Sequence, residues 1–273
     1  MSKEVAVIIS ISSDIGRSLA MNWLKKGRKV YGTYRTFNEK LNDPKMQNAY
    51  LYQYDLSCAQ NVAEFVQKIS DEVEHWDILV FAAGLLDPVG CFFETDFREW
   101  EKSVFVNFTM QMQILHGLYS KRNQQRISKV IYFAGGGVNG APINYSAYTV
   151  SKIALIKMVE LISKETDDVG IFIIGPGWVK TKIHNSTMNA GLHDAGSNYH
   201  TTINRFKNNQ FVDMQTVIDC INWFLKQPSD IISGRNYSVE FDPWGADEFI
   251  GILSSDEDIF KLRRYGNKIF FKE

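Results

Sequence analysis

The chain has 273 residues, of which 45% are hydrophobic and 22% charged, and its formal net charge is -1. This length allows one large α/β domain whose core needs no disulfide or metal to hold it together. The nearly neutral charge excludes a general attraction to nucleic acid or anionic lipid, so any anionic ligand must be held by local groups.

The cysteines and histidines do not form ligand patterns. Cys58, Cys91 and Cys220 are widely spaced without a CxxC, and the five histidines contain no HExxH. We therefore expect free thiols and no metal site. The N-terminal apolar run does not end in a cleavage site, and no apolar stretch approaches the ~18 residues of a membrane span. These features favour a cytoplasmic protein without membrane or nucleic-acid partners.

Short β-branched or aromatic runs alternate along the chain with longer amphipathic segments. The runs predict seven strands: Val5–Ile9, Lys29–Tyr34, Tyr50–Tyr54, Ile78–Ala82, Lys129–Phe133, Gly170–Ile174 and Asn236–Val239. The amphipathic segments predict helices at Ile15–Lys26, Ala59–Glu74, Arg98–Lys121, Ser146–Thr166 and Asp213–Lys226.

This alternation is typical of βαβ units. We predict an α/β fold with a doubly wound parallel sheet of about seven strands, helices on both faces, and one domain over residues 1–273. Ligands of such sheets bind beyond the carboxyl ends of the strands. The longest irregular stretch, 181–210, directly follows a strand end, which favours a mobile flap over a site; an ordinary surface excursion is the alternative.

The turn after the first strand has the residue types of a pyrophosphate site. Small side chains let the backbone approach a phosphate, and the positive end of the next helix favours an anion. The candidate residues are Ser10, Ile11, Ser12, Ser13, Asp14, Ile15 and Gly16.

Tyr148 and Lys152 lie four residues apart in the segment YSAYTVSKIAL, at the start of a predicted helix. Positions i and i+4 share a helix face, so both side chains can reach one ligand. A nearby ammonium favours a phenolate and is expected to lower the pKa of Tyr148. The pair is thus suited to proton exchange with a carbonyl or alcohol oxygen.

In these motifs and their order the chain resembles the short-chain dehydrogenase/reductase family, whose Rossmann-type domain binds a nicotinamide dinucleotide. Ile15 and Gly16 match the end of the family pattern TGxxxGIG, while Ser10 and Asp14 replace two of its glycines. The resemblance extends over nearly the whole chain. It implies cofactor contacts from Asp55, Leu56, Ala82, Ala83, Gly84, Tyr148, Lys152, Pro176, Gly177, Val179 and Thr181.

The end of the second strand bears on the choice of cofactor. A carboxylate there would accept a hydrogen bond from the ribose 2′-OH and favour NAD. This chain has Arg35 and no acid at that place. Because a guanidinium matches a 2′-phosphate, NADP is the preferred cofactor and NAD the alternative.

Two further positions bear on catalysis. Asn107 matches the family's helix asparagine, which links the lysine to a water relay. Gly135 stands where the family places a serine that hydrogen-bonds the reacting oxygen. Three explanations stay open: a nest of backbone N–H groups at 135–137, a substitute side chain such as Asn139 or Ser146, or a slow or inactive enzyme. A serine introduced at 135 is expected either to raise activity or to block the substrate.

The late segments SGRNYSVEFDPW and FKLRR look like a bacterial subgroup of reductases linked to surface polysaccharide pathways. This resemblance suggests a nucleotide sugar or another small carbonyl or alcohol as substrate. A non-catalytic NADP-binding relative and a redox-cycling nucleotide-sugar epimerase or dehydratase are the alternatives. Family members commonly form homodimers or homotetramers.

Overall fold

The computed structural model describes residues 3–265 and contains a seven-stranded, fully parallel sheet with the strand order β3-β2-β1-β4-β5-β6-β7. The strands are β1 Val5–Ile9, β2 Lys29–Tyr34, β3 Ala49–Gln53, β4 Ile78–Phe81, β5 Ser128–Phe133, β6 Val169–Gly175 and β7 Asn236–Ser238. The seven predicted strands are confirmed to within a residue or so at each end.

The strand order reverses beside β1, because β2 pairs with one edge of β1 and β4 with the other. This is the topological switch point at which doubly wound sheets bind their ligands. All carboxyl ends lie along the same edge of the sheet, so the residues that follow the strands are brought together there.

Ten helices flank the sheet in the described part of the chain. They are α1 Asp14–Lys25, α2 Ala59–Glu72, α3 Phe97–Val104, α4 Met110–Leu118, α5 Ser146–Glu165, α6 His184–Ala195, α7 Ser197–Lys207, α8 Met214–Phe224, α9 Ser229–Ile232 and α10 Asp247–Ser255. The predicted helix at Arg98–Lys121 is continuous but contains one π turn, Phe105–Thr109, between α3 and α4.

Successive strand residues point to opposite faces of the sheet, which gives the molecule two cores. In β1, Ala6 and Ile8 pack with residues of α1, α8 and α10, whereas Val7 and Ile9 pack with residues of α2, α4 and α5. Helices therefore cover both faces, as the strand and helix pattern predicted. No helix among residues 3–265 is long and apolar enough to cross a bilayer.

The expectation of an irregular stretch at 181–210 was wrong, because most of it forms α6 and α7. Its Asn, Ser and Thr residues have low helix propensity, and Gly191 and Gly196 adopt positive φ angles of 72° and 56°, which kink α6 and end it. Local sequence gave little helical signal, and contacts with the rest of the chain stabilise the two helices.

Candidate active site

The turn between β1 and α1 holds Ser10 in the left-handed region, with φ 64°. That conformation favours glycine, and a serine adopts it at some cost. Two bonds hold the turn: the Ser10 N–H donates to Thr33 Oγ1 at 2.8 Å, and the Ser10 carbonyl accepts from the Ser13 N–H at 3.0 Å. The turn thus keeps its shape without the family's first glycine.

Gly16 is required where α1 leaves the turn. A Cβ there would lie 2.6 Å from the Ser10 carbonyl oxygen and 2.8 Å from Ser13 Oγ. Ser13 caps α1 by accepting the Gly16 N–H at 3.0 Å. The turn thus packs tightly against α1, at the helix end where a phosphate is favoured.

Not every candidate side chain in the dinucleotide site faces the cleft. Ile11, Leu56 and Val179 are buried in the cores, and Ile15 packs against one of them. A Cβ on Gly32 would lie 2.5 Å from that of Ile11, so Ile11 fills the space over β2. Only the backbone of these buried positions is placed to contact a ligand.

Arg35 and Asp55 follow β2 and β3, and both are exposed. Asp55 Oδ1 accepts from the Ser57 N–H and hydroxyl at 3.0 and 2.7 Å. Burial alone would raise the pKa of Asp55, but these bonds together with the charge of Arg35 hold it below its usual value. Arg35 forms no salt bridge with a carboxylate in the described part of the chain, which leaves its guanidinium available to a ligand.

The segment after β6 crosses the cleft between two other strand ends. After Pro176, Gly177 turns the chain with φ 73°. We call Thr181–Ile183 the strap. The Lys182 N–H donates to Asp14 Oδ2 at 2.9 Å, and Ile183 Cδ1 lies 3.6 Å from where a Cβ on Gly84 would sit.

Gly84 follows Ala82 and Ala83 at the end of β4. The strap therefore bridges the first turn and the end of β4, which brings together three of the predicted cofactor segments.

Helix α6 is held over the same edge of the sheet by polar contacts. Tyr145 and Thr187 share a buried hydroxyl hydrogen bond of 2.9 Å, and Ser186 Oγ donates to Asp87 Oδ2 at 2.7 Å. The His184 ring stacks on Trp178 with centroids 4.7 Å apart. Residues 181–210 are thus largely helical and anchored at several points near this edge of the sheet; that they act as a flap over the site stays a prediction.

Tyr148 and Lys152 lie on one face of α5, as predicted. Lys152 Nζ is 5.5 Å from the centroid of the Tyr148 ring. Lys152 is only 2% exposed, and its Nζ hydrogen-bonds to no other group among residues 3–265. A largely buried lysine that makes no hydrogen bond within the described chain, one turn from a phenol, is unusual in a structural role, because burying a charge without hydrogen bonds is costly.

The pKa of Tyr148 is shifted opposite to the sequence expectation. Burial raises the pKa of Tyr148 to about 12 and lowers the pKa of Lys152 to about 8. Desolvation disfavours the charged form of each group and is the cause of both shifts. Near neutral pH the phenol therefore carries its proton.

Gly135 lies directly under the Tyr148 ring. A Cβ at position 135 would lie 2.5 Å from the phenol oxygen and 2.7 Å from the carbon that bears it. The ring occupies the space that a serine side chain would need. Of the proposed substitutes, Ser146 Oγ already accepts from the Trp100 indole at 3.0 Å, and Asn139 is exposed.

Asn107 is fully buried in the π turn and is tied to the backbone of Leu85. Its Oδ1 accepts from the Leu85 N–H at 2.9 Å, and its Nδ2 donates to the Leu85 carbonyl at 2.7 Å and to Ser103 Oγ at 3.2 Å. π turns inside α-helices are frequent at functional sites. The Asn107 side chain positions the segment after β4, so a relay to Lys152 would have to use its backbone carbonyl.

Sequence reasoning missed three residues that shape the site: Thr33, Lys182 and Ile183. Thr33 was visible as a polar residue in an apolar strand, but its link to Ser10 depends on how β2 lies against β1. The two strap residues carry no motif, and their contacts join positions far apart in the chain. Metal clusters of three or more His, Cys, Asp or Glu are absent from residues 3–265, and the three cysteines are free.

Comparison with known proteins agrees with this geometry. The sequence profile of the short chain dehydrogenase family matches residues 4–192. The 3-oxoacyl-acyl-carrier-protein reductase of Buchnera aphidicola is 23% identical over 249 residues, covering 88% of this chain and 96% of that protein. The 2,3-dihydro-2,3-dihydroxybenzoate dehydrogenase of Escherichia coli is 25% identical over 170 residues, covering 61% and 66%.

Solved structures show the same fold. A Saccharomyces cerevisiae short chain dehydrogenase/reductase superposes with a TM-score of 0.78 at 23% identity, covering 88% of this chain and 97% of that one. An Escherichia coli short chain dehydrogenase complexed with NADPH gives a TM-score of 0.72 at 18% identity, covering 88% and 98%. These relatives do not support the narrower resemblance to polysaccharide-linked reductases. The chain belongs to the short chain dehydrogenase family and is an NAD(P)-dependent oxidoreductase.

Proposed function

We propose that this protein reduces a carbonyl group with NADPH and that Tyr148 is the proton donor. The observation that carries the proposal is the pair on α5: the Tyr148 phenol beside the largely buried Lys152, whose Nζ lies 5.5 Å from the ring centroid and makes no hydrogen bond among residues 3–265. When bound, the nicotinamide would be the source of the hydride for the carbonyl carbon. The Tyr148 hydroxyl then gives its proton to the carbonyl oxygen, which completes the alcohol.

The protonation state of the phenol fits the role of a general acid. A general acid must hold its proton before the step, and a pKa of about 12 keeps the Tyr148 hydroxyl protonated near neutral pH. Oxidation of an alcohol would need the phenolate, which burial disfavours. We therefore write the reaction as a reduction, in which Tyr148 acts as the acid; in the reverse reaction the same group would act as the base.

Lys152 is the group we assign to the nicotinamide ribose. Its unpartnered ammonium can donate to ribose hydroxyls, and such bonds would replace the water lost on burial. The N–H groups at the start of α1 are assigned to the pyrophosphate, and the strap would close over it. Asn107 holds Leu85 and thereby positions the segment 82–85 beside the cofactor.

Arg35 is assigned to the 2′-phosphate of NADPH. It is exposed after β2, and no acidic residue follows that strand to accept from a ribose hydroxyl. The charge-neutral variant Arg35→Ser should weaken NADPH about 10-fold while leaving NADH unchanged. A nicotinamide fluorescence titration measures both, and equal loss for the two cofactors would remove Arg35 from the 2′-phosphate site.

For the substrate we propose a nucleotide sugar or a related carbohydrate carbonyl. The late-segment resemblance and the many Asn, Ser, Thr and His side chains of α6 and α7 support this class. The reductase of Buchnera aphidicola is named for an acyl substrate, so 3-oxoacyl thioesters are the competing class.

The three free cysteines suit a cytoplasmic setting, and exposed Val150 and Leu161 suit pairing of α5 in a homo-oligomer.

Tyr148→Phe tests the mechanism. The variant should lose turnover by ~10²-fold or more while binding NADPH with unchanged affinity, because only the transferred proton is removed. Tyr145→Phe is the matched control: it removes a hydroxyl from the preceding turn of chain, one bonded to Thr187, and should retain kcat within about 10-fold. A Tyr148→Phe enzyme as active as the control would exclude Tyr148 as the acid.

Assays with NADPH and a panel of sugar nucleotides and 3-oxoacyl thioesters distinguish the substrate classes, and they also distinguish an enzyme from a non-catalytic relative. NADPH oxidation with sugar nucleotides and not with 3-oxoacyl thioesters would support the carbohydrate class. Substrate conversion without net change in NADPH absorbance would instead identify a redox-cycling epimerase or dehydratase. NADPH binding without turnover of any compound would favour the non-catalytic alternative, for which the missing serine at Gly135 is the structural argument.

A further inference from the structure

A second cleft lies at the amino edge of the sheet, opposite the edge that holds Tyr148. Its volume is about 520 Å³, and a smaller groove of about 230 Å³ adjoins it at Lys3 and Gly27. We call it the basic cleft; it is lined by Glu4, Lys26, Arg28, Asp77, Ile78, Arg126, Ile127, Lys129, Asn222, Leu225 and Lys226. Nothing in the catalytic proposal uses these residues.

Positive charge predominates in the basic cleft. Only two of its lining residues, Glu4 and Asp77, are acidic, and each is already paired: Glu4 with Arg28 and Asp77 with Arg126, both at 2.6 Å. The ammonium groups of three lysines, Lys26, Lys129 and Lys226, form no salt bridge within the described part of the chain.

Two of the cations are buried further than a solvated surface patch would require. Lys129 is 9% exposed at the start of β5, and its Nζ donates to the Gln227 carbonyl at 2.5 Å. Burial lowers the pKa of Lys129 to about 8. The buried Nη1 of Arg28 has no hydrogen-bond partner. Both groups therefore have donor capacity that the described chain does not use.

The cations also repel each other. Burial, followed by the charges of Arg28 and Lys226, lowers the pKa of Lys26. The carboxyl ends of α1 and α8 reach the same region and offset part of this charge, but a helix end supplies only about half an elementary charge. Five cations and two carboxylates line the cleft, an excess of three charges that Asp219, Asp230 and the two helix ends nearby reduce. An anion that bridges the unpaired ammonium groups would relieve their mutual repulsion.

We propose that the basic cleft binds a phosphate-bearing anion of the size of pyrophosphate or a mononucleotide. Lys26, Lys129 and Lys226 would supply the ammonium donors, and Arg28 Nη1 a guanidinium donor. Ile78, Ile127 and Leu225 contribute the apolar part of the lining, which we call the apolar wall and which suits the organic part of a phosphate ester. The site is independent of the cofactor cleft and of the catalytic proposal.

Calorimetric titration of the full chain tests this site. Pyrophosphate and adenosine 5′-monophosphate are titrated in turn, at constant ionic strength and with saturating NADPH to occupy the cofactor cleft. We expect saturable binding near one site per chain that weakens about 10-fold or more in the double variant Lys26→Ala, Lys226→Ala. Both lysines are exposed, so the double variant should fold normally.

Lys25→Ala is the control for the Lys26 part of the double variant, because it removes one lysine charge from the same end of α1 without lining the cleft. Its affinity should stay within about 2-fold of wild type. Tighter binding of the nucleotide than of pyrophosphate would assign the apolar wall to the base or sugar, and the reverse order would assign the site to inorganic phosphates. Absence of saturable binding, or equal weakening by Lys25→Ala and the double variant, would overturn the proposal.

Discussion

Replacing Lys152 by methionine should make the protein more stable although it removes a proposed cofactor contact. Lys152 is 2% exposed, its Nζ has no hydrogen-bond partner in the described chain, and burial lowers the pKa of its ammonium from 10.5 to about 8. Each unit between the unfolded and folded pKa is worth about 1.4 kcal/mol. At pH 7 the charged lysine therefore destabilises the folded state by about 3 kcal/mol.

The effect depends on pH in a defined direction. Between about pH 8 and 10.5 the unfolded chain binds more protons than the folded chain, because the pKa of Lys152 is the lower one in the folded state. The penalty is thus complete below pH 8 and is relieved as the pH rises. Methionine has a similar length and no charge, so Lys152→Met should gain about 3 kcal/mol at pH 7 and about 1 kcal/mol at pH 10.

Urea unfolding without added cofactor, at pH 7 and pH 10, measures both gains. Lys207→Met is the control, since it changes an exposed lysine of α7; it should alter stability by less than about 0.5 kcal/mol at either pH. A gain of equal size at the two pH values, or a loss at pH 7, would refute the view that Lys152 is buried with an uncompensated charge.

Three further predictions concern Gly135 after β5, the strap, and the contacts of Arg235 with the C-terminal segment. Gly135→Ala should lower kcat by ~10-fold or more, because the new Cβ would displace the Tyr148 phenol. The control Gly136→Ala, whose Cβ would meet no atom within 4 Å, should keep kcat near the wild-type value. Steady-state kinetics of both variants measure the difference. Asp14→Ala should speed amide hydrogen exchange at Lys182 by ~10-fold, because the Lys182 N–H loses its acceptor. An unchanged exchange rate would mean that other contacts hold the strap. Arg235→Met should lower the free energy of unfolding in urea by about 3 kcal/mol, because the buried guanidinium loses four hydrogen bonds. These bonds go to the carbonyls of Ile231, Leu253, Asp256 and Ile259. A loss below about 1 kcal/mol would show that they contribute little.

The prediction for position 135 shows how the structure changed a sequence interpretation. From the sequence, a glycine in place of the serine left activity gain and substrate blockage both open. The structure shows that the Tyr148 ring occupies the space above Gly135. Restoring the side chain would therefore move the Tyr148 phenol, the proton donor we propose, which favours loss of activity.

Local patterns determined the parts of this protein that depend on near neighbours in the chain. The alternation of apolar runs and amphipathic segments predicted seven strands and a parallel sheet, because each element is defined by its own periodicity. The spacing of Tyr148 and Lys152 placed both on one face of α5, because helix geometry relates residues four apart. The resemblance in motif order predicted the family that the profile match confirms.

Tertiary structure alone decided the features that join distant parts of the chain. The strap contact between Asp14 and Lys182 spans 168 positions, and Ser10 depends on Thr33 from a neighbouring strand. The helices at 184–207 have weak local propensity and are stabilised by what they pack against. The raised pKa of Tyr148 and the basic cleft likewise arise from burial and from charges brought together by folding, which no local window of sequence contains.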